Sequence, residues 1–197
     1  MKSVFFKKLN TNKYSYTIFH EPYTGFGYAD LVCVRWKKEI YDKWNINRNK
    51  LITDDIKVLH YLYNCQRFKS FSDIENDLGY KNSQLFKIID RLYSADLITE
   101  NKKKKYKIRP INEIFFIHEI IAIEAKIKDW KRALEQSYNN IFFASKSFSL
   151  FPRNTINDRL LEAYKNTNVG VLSFDKSYQE HLKPKKMKIP SSLTAWQ

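Results

Sequence analysis

Residues 120–136 read IIAIEAKIKDWKRALEQ, a strand pattern that runs directly into a helical one. The apolar run 120–123 is typical of a buried strand, and it ends in Glu124, Ala125 and Lys126. Residues two apart on a strand share a face, so Glu124 and Lys126 point the same way, although charged groups resist burial. A carboxylate and an ammonium group in that position cost stability, which indicates a chemical role.

The residues around this stretch predict alternating strands and helices. Asp129 is the expected N-cap of a helix whose inner face carries Ala133, Leu134, Ser137, Tyr138 and Ile141. Further elements are expected as a strand at 148–151, a helix at 156–165 and a strand at 169–174, after two early strands at 14–19 and 31–34. This order predicts an α/β fold, a mixed sheet flanked by helices, over residues 1–52 and 110–175. Residues 176–197 lack periodicity and are expected to be a basic C-terminal tail.

Residues 53–109 have a different pattern and are expected to form an inserted, mainly α domain. Apolar residues at helical spacing predict one helix after Thr53, a second near Ser72 that ends at Gly79, and a third after Asn82. Two short strands with a basic turn between them follow. Three helices and a hairpin in this order are typical of a winged helix-turn-helix.

The inserted domain carries the expected DNA contacts. Gln84, Lys87 and Arg91 lie on the polar face of the third helix, and the hairpin tip contains Lys102, Lys103, Lys104 and Lys105. In winged helices the third helix enters the major groove and the hairpin lies along the phosphates. The alternative, that the domain binds another protein and its charge only promotes solubility, stays open.

Composition favours a polyanionic partner. The chain has 197 residues, with 35 Lys and Arg against 21 Asp and Glu, for a net charge of +14. Nucleic acid is the preferred partner. We expect a cytoplasmic protein without membrane association, because the sequence has neither a membrane-spanning apolar run nor a signal peptide. The two cysteines and four histidines are scattered and have no spacing typical of zinc sites.

Asp30, at the start of an early strand, and Glu124-Ala125-Lys126 together resemble the PD-(D/E)XK nuclease superfamily. The likeness covers residues 14–174 if the winged helix is treated as an insertion, and it implies a restriction-endonuclease-like core. It also implies that Asp30, Glu124 and the Ala125 carbonyl hold Mg²⁺ or Mn²⁺, that Lys126 is catalytic, and that Gln136 is a polar helper. No proline precedes Asp30, unlike the family pattern, and Glu21 is a further acidic candidate.

The expected function is metal-dependent hydrolysis of phosphodiester bonds in double-stranded DNA by an endonuclease. Cutting both strands usually needs two sites, so a homodimer is expected. The alternative function is a catalytically silent DNA-binding regulator or assembly factor of a mobile-element or defence system. An RNA-directed nuclease would use the same residues. A surface salt bridge between Glu124 and Lys126 is the structural alternative.

Overall fold

The computed structural model describes residues 11–25 and 27–187. Its described residues divide into two compact units. One contains the residues before Glu39 and after Phe116, here called the sheet unit; the other spans Glu39–Phe116 and is called the helical unit. The helical unit contains all of 53–109 and extends beyond it at both ends.

The sheet unit is built on a six-stranded mixed sheet. Its strands are β1 (Tyr14–His20), β2 (Leu31–Lys37), β6 (Ile117–Ala125), β7 (Lys146–Pro152), β8 (Gly170–Phe174) and β9 (Tyr178–Leu182), and they lie side by side in this order. The β1–β2, β2–β6 and β8–β9 pairs are antiparallel, whereas β6–β7 and β7–β8 are parallel. Helices α6 (Trp130–Asn140) and α7 (Asp158–Lys165) flank the sheet. The mixed α/β architecture expected from the sequence is therefore confirmed at this level.

Strand β6 is apolar on both faces, which explains its near-continuous apolar sequence. Ile121 and Ile123 pack with Phe148 and Leu150 on one face, while Ile120 and Ala122 belong to a second cluster. The strand ends at Ala125, so Lys126 lies one residue beyond it. Asp129 then accepts a hydrogen bond from the backbone N–H of Arg132 at 3.0 Å and caps α6, as predicted.

The helical unit contains helices α1 (Ile40–Lys43), α2 (Thr53–Cys65), α3 (Phe71–Leu78), α4 (Asn82–Ser94) and α5 (Ile111–Ile114). Strands β3 (Lys69–Ser70), β4 (Ile98–Glu100) and β5 (Lys105–Ile108) form a three-stranded sheet in the order β3-β5-β4. A 3₁₀ helix spans Ile46–Lys50. Gly79 has a left-handed φ of 70° and ends α3 as predicted, but Ser70 rather than Ser72 caps the start of that helix.

The prediction that residues 176–197 form a tail is wrong for one segment. Residues Tyr178–Leu182 form β9, whose antiparallel pairing with β8 gives its backbone hydrogen bonds. The sequence YQEHL shows little alternation of apolar and polar residues. An edge strand pairs with only one neighbour and can keep exposed polar side chains, so such alternation is not required. Residues 188–197 lie outside the described residues.

Among the helices that the structure describes, none is long and apolar enough to cross a bilayer.

Candidate active site

Three of the residues singled out in the sequence meet at one end of the sheet. Leu31 of β2 pairs with Ile123 of β6, so Asp30 comes opposite Glu124. The Lys126 Nζ lies 3.3 Å from Asp30 Oδ2 and 3.8 Å from Glu124 Oε2. Ninety-six residues separate Asp30 from Lys126 along the chain, and the antiparallel pairing of β2 with β6 brings them together.

Glu124 is the most unusual group of this cluster because its side chain is only 1% exposed. Burial raises the pKa of its carboxyl group, and the nearby negative charge of Asp30 raises the pKa further. A hydrogen bond from Asn140 and the charge of Lys126 act in the opposite direction. An ionised Glu124 is therefore costly to the fold, as expected for a carboxylate kept for chemistry rather than for stability.

Asn140, at the end of α6, orients the buried carboxylate. Its side-chain Nδ2 donates to Glu124 Oε1 at 2.8 Å. The second oxygen, Glu124 Oε2, is buried and accepts no hydrogen bond from any residue that the structure describes. A buried acceptor without a donor costs free energy unless it has another partner, such as a cation.

Gln136 lies one helical turn before Asn140 and therefore on the same side of α6. Its Oε1 is also buried, and within residues 11–25 and 27–187 it accepts no hydrogen bond. Among the described residues, buried side-chain oxygens without donors thus occur on Glu124 and on the helix face that carries its partner. Direct contact of Gln136 with a metal or a substrate stays a prediction.

Ala125 and Glu21 contribute through their backbones. The Ala125 N–H donates to Asp30 Oδ2 at 2.7 Å, which fixes the carboxylate at the end of β6. Glu21 has a left-handed φ of 46°, and its N–H donates to the Asp30 carbonyl at 3.2 Å. Over the part of the chain that the structure describes, no three His, Cys, Asp or Glu side chains come together as a metal-binding group. The site is thus a pair of carboxylates with one lysine.

Positive charges are placed at the same end of the sheet. Lys128 follows β6, Lys131 and Arg132 lie in the first turn of α6, and Arg153 follows β7, which runs parallel to β6. All four side chains are exposed and form no salt bridge with a described residue. Unpaired cations beside two carboxylates suit a phosphate backbone that approaches the site.

In the helical unit, two of the three expected DNA-contacting residues of α4 have intramolecular partners. The Arg91 guanidinium binds both carboxylate oxygens of Asp55, with its Nη2 at 2.7 Å from Oδ1, and Asp55 is fully buried. Gln84 donates to Asp54 Oδ2 at 3.2 Å. Arg91 therefore holds α4 against α2, and Lys87 is the exposed cation of the three.

The turn between β4 and β5 is strongly basic. Asn101 Oδ1 accepts from the N–H groups of Lys103 and Lys105, which fixes the turn. Lys102 and Lys103 are exposed, while the Lys104 ammonium lies 2.8 Å from Glu100. The exposed Phe86, Asp90 and Tyr93 of α4 line a cavity of about 160 Å³ beside β4 and β5. The exposed surface of α4 thus carries aromatic, acidic and basic side chains. The positive charge is more concentrated in the turn between β4 and β5.

Asn140 and the four exposed cations at this end of the sheet, here called the basic rim, are not among the site residues predicted from the sequence. The basic rim consists of Lys128, Lys131, Arg132 and Arg153. Asn140 lies three residues after Ser137 and seven after Ala133, and this helical spacing places it on the buried face. The inner face was instead assigned partly to Tyr138, which is wrong because Tyr138 is 52% exposed. The basic rim could be recognised only once β6 was known to pair in parallel with β7, because that pairing places residues after both strands at the same end of the sheet. The residues near each strand do not show which strands are neighbours.

Comparison of the chain with protein-family models, curated proteins and solved structures gives no match.

Proposed function

We propose that this chain is a metal-dependent DNA endonuclease of the PD-(D/E)XK type, with an inserted winged helix-turn-helix that grips duplex DNA. The observation that carries the proposal is that the carboxylates of Asp30 and Glu124 each lie within 4.0 Å of the Lys126 Nζ. A buried carboxylate, a second carboxylate and a lysine are the groups that phosphodiester hydrolysis needs beside a divalent cation.

The residues present fit a hard cation such as Mg²⁺ or Mn²⁺. Glu124 Oε2 is buried without a donor, and the Asp30 carboxylate lies beside the same lysine. Two carboxylates are sufficient because Mg²⁺ keeps several waters and uses few protein ligands. Asp30 and Glu124 would hold the ion, with the Ala125 carbonyl as the further expected ligand. When bound, the ion supplies Lewis-acid stabilisation of charge on the phosphate.

The chain's own residues perform the other tasks. Asn140 and the Ala125 N–H fix the two carboxylates at one geometry. The Lys126 ammonium is placed to offset negative charge in the transition state and to orient a water molecule. The basic rim defined by Lys128, Lys131, Arg132 and Arg153 would hold the phosphates on either side of the scissile bond.

Cleavage of supercoiled plasmid in the presence of Mg²⁺ or Mn²⁺ tests the proposal. Glu124→Ala and Lys126→Ala should each abolish cleavage while leaving duplex binding nearly intact. Glu135→Gln, at an exposed carboxylate of the same α6, is the matched control and should cut like the wild type. Plasmid that the wild type binds but leaves intact with both metals would instead support the DNA-binding regulator or assembly factor.

A further inference from the structure

An apolar slot opens directly beside the catalytic lysine. It has a volume of about 220 Å³, and its lining includes Lys126, Ile127, Leu150, Phe151, Pro152 and Phe174. These residues come from the ends of β6, β7 and β8 and from the residues just beyond β6, all within the sheet unit. Apart from Lys126, every side chain of the lining is apolar.

We propose that this slot binds one unstacked nucleobase next to the scissile phosphate, so that DNA held by the chain is cut preferentially where a base is unpaired. The inference rests on the proposed nuclease function for its position but concerns a different contact. Phe174 is partly exposed and its ring is held by Tyr178 at a centroid distance of 5.1 Å, which leaves an aromatic surface for stacking. Base stacking on aromatic side chains is the general means of binding single strands.

Charge complementarity favours a nucleotide over an apolar segment of a protein. Lys126 is part of the lining of the slot. Lys128 and Arg153 come directly after the lining residues Ile127 and Pro152 in the sequence. A polyanion is attracted to that border, and its bases can then fill the apolar interior. In an intact duplex both faces of each base are already stacked, so the slot would stay empty. The proposed discrimination therefore depends on base unstacking.

Ile127 gives the sharpest test because its side chain is 72% exposed and its replacement should not disturb folding. Ile127→Glu places a carboxylate at the mouth of the slot. Ile46→Glu, at a 68% exposed isoleucine of the helical unit, is the matched control with the same change of charge. Phe174→Leu removes the aromatic ring while keeping an apolar side chain, and its thermal unfolding checks that the sheet unit stays folded.

The measurement is fluorescence anisotropy with a labelled oligothymidylate and with a fully paired, two-stranded duplex, both in EDTA, followed by cleavage of the same probes with Mg²⁺. Ile127→Glu and Phe174→Leu should each weaken single-strand binding at least about fivefold, as expected for one lost base stack. Duplex binding and the Ile46→Glu control should change little.

Equal losses of single-strand binding in Ile127→Glu and Ile46→Glu, or losses of duplex binding as large as those of single-strand binding, would overturn the base slot. Failure of the nuclease function gives a different result. In that case single-strand binding and its dependence on Ile127 and Phe174 persist in EDTA, but neither probe is cut with Mg²⁺ or Mn²⁺.

Discussion

At the scale of single residues, Glu124 combines a cost to folding with a proposed chemical role. The raised pKa means that the native chain holds a proton more tightly than the unfolded chain, for which the ordinary value is 4.5. Between these two pKa values the native state binds more protons, so the contribution of Glu124 to stability falls as pH rises. Above both values the buried charge destabilises the fold.

Glu124→Gln should therefore stabilise the metal-free protein at neutral pH while abolishing cleavage. The amide keeps an oxygen that can accept from Asn140 but carries no charge. Its melting temperature, measured by circular dichroism in EDTA, should exceed that of the wild type at neutral pH. The difference should shrink as the pH falls towards the ordinary value of 4.5, because the raised pKa makes the native carboxyl group take up its proton above that pH.

Glu135→Gln, at an exposed position of the same helix, should melt close to the wild type at neutral pH. A lower melting temperature for Glu124→Gln at neutral pH would mean that the ion pair with Lys126 outweighs burial. That outcome would contradict the direction of the pKa shift and the interpretation of Glu124 as a costly functional group.

At the scale of elements, the β6–α6 segment was predictable because its local signals agree. The apolar run, the polar end and the capping Asp129 all occur in one continuous stretch, and each has a local physical cause. The convergence of Asp30 with Glu124 was expected only through the family resemblance, because strand pairing joins positions far apart. Strand β9 was missed because its polar sequence gives little apolar alternation, and its partner strand decides its conformation.

Helix α4 shows that a surface pattern does not reveal a side chain's intramolecular partner. Arg91 lies on the polar face, which suggested contact with DNA, but its guanidinium binds Asp55 of α2 through two oxygens. Because Asp55 is 0% exposed, the pair is shielded from solvent on one side. The sequence could not reveal this, since Asp55 comes from a different helix, 36 positions away.

Arg91→Ala should therefore destabilise the helical unit by about 3 kcal/mol, because it removes the cationic partner of the buried Asp55 carboxylate, which then keeps its hydrogen bond from the Ile52 N–H. Lys87→Ala, at an exposed position of the same helix, should change stability by less than about 0.5 kcal/mol. Urea unfolding followed by circular dichroism measures both. Unchanged stability of Arg91→Ala, together with a large loss of DNA affinity, would support the prediction that Arg91 contacts DNA.

At the scale of the whole molecule, the positive charge is unevenly divided between the two units. Residues Glu39–Phe116 contain 15 Lys and Arg against 11 Asp and Glu, which leaves 20 against 10 in the rest of the chain. Most of the excess charge therefore belongs to the part of the sequence that contains the proposed catalytic site. For the proposed DNA binding, this distribution predicts a strong contribution from the sheet unit, alongside the basic turn of the helical unit.

The salt dependence of DNA binding tests this division. Each lost phosphate contact should reduce the slope of log K against log salt by about 0.9 for duplex DNA. The double variant Lys128→Gln/Arg132→Gln should therefore reduce the slope by about 2, and so should Lys102→Gln/Lys103→Gln if the turn also lies along the phosphates. Lys57→Gln/Lys165→Gln removes two exposed lysines that already pair with Asp54 and Glu162, and its slope should match the wild type. An unchanged slope for the Lys128 and Arg132 variant would exclude the basic rim from DNA binding. An unchanged slope for the turn variant alone would indicate that the helical unit has a role other than DNA binding.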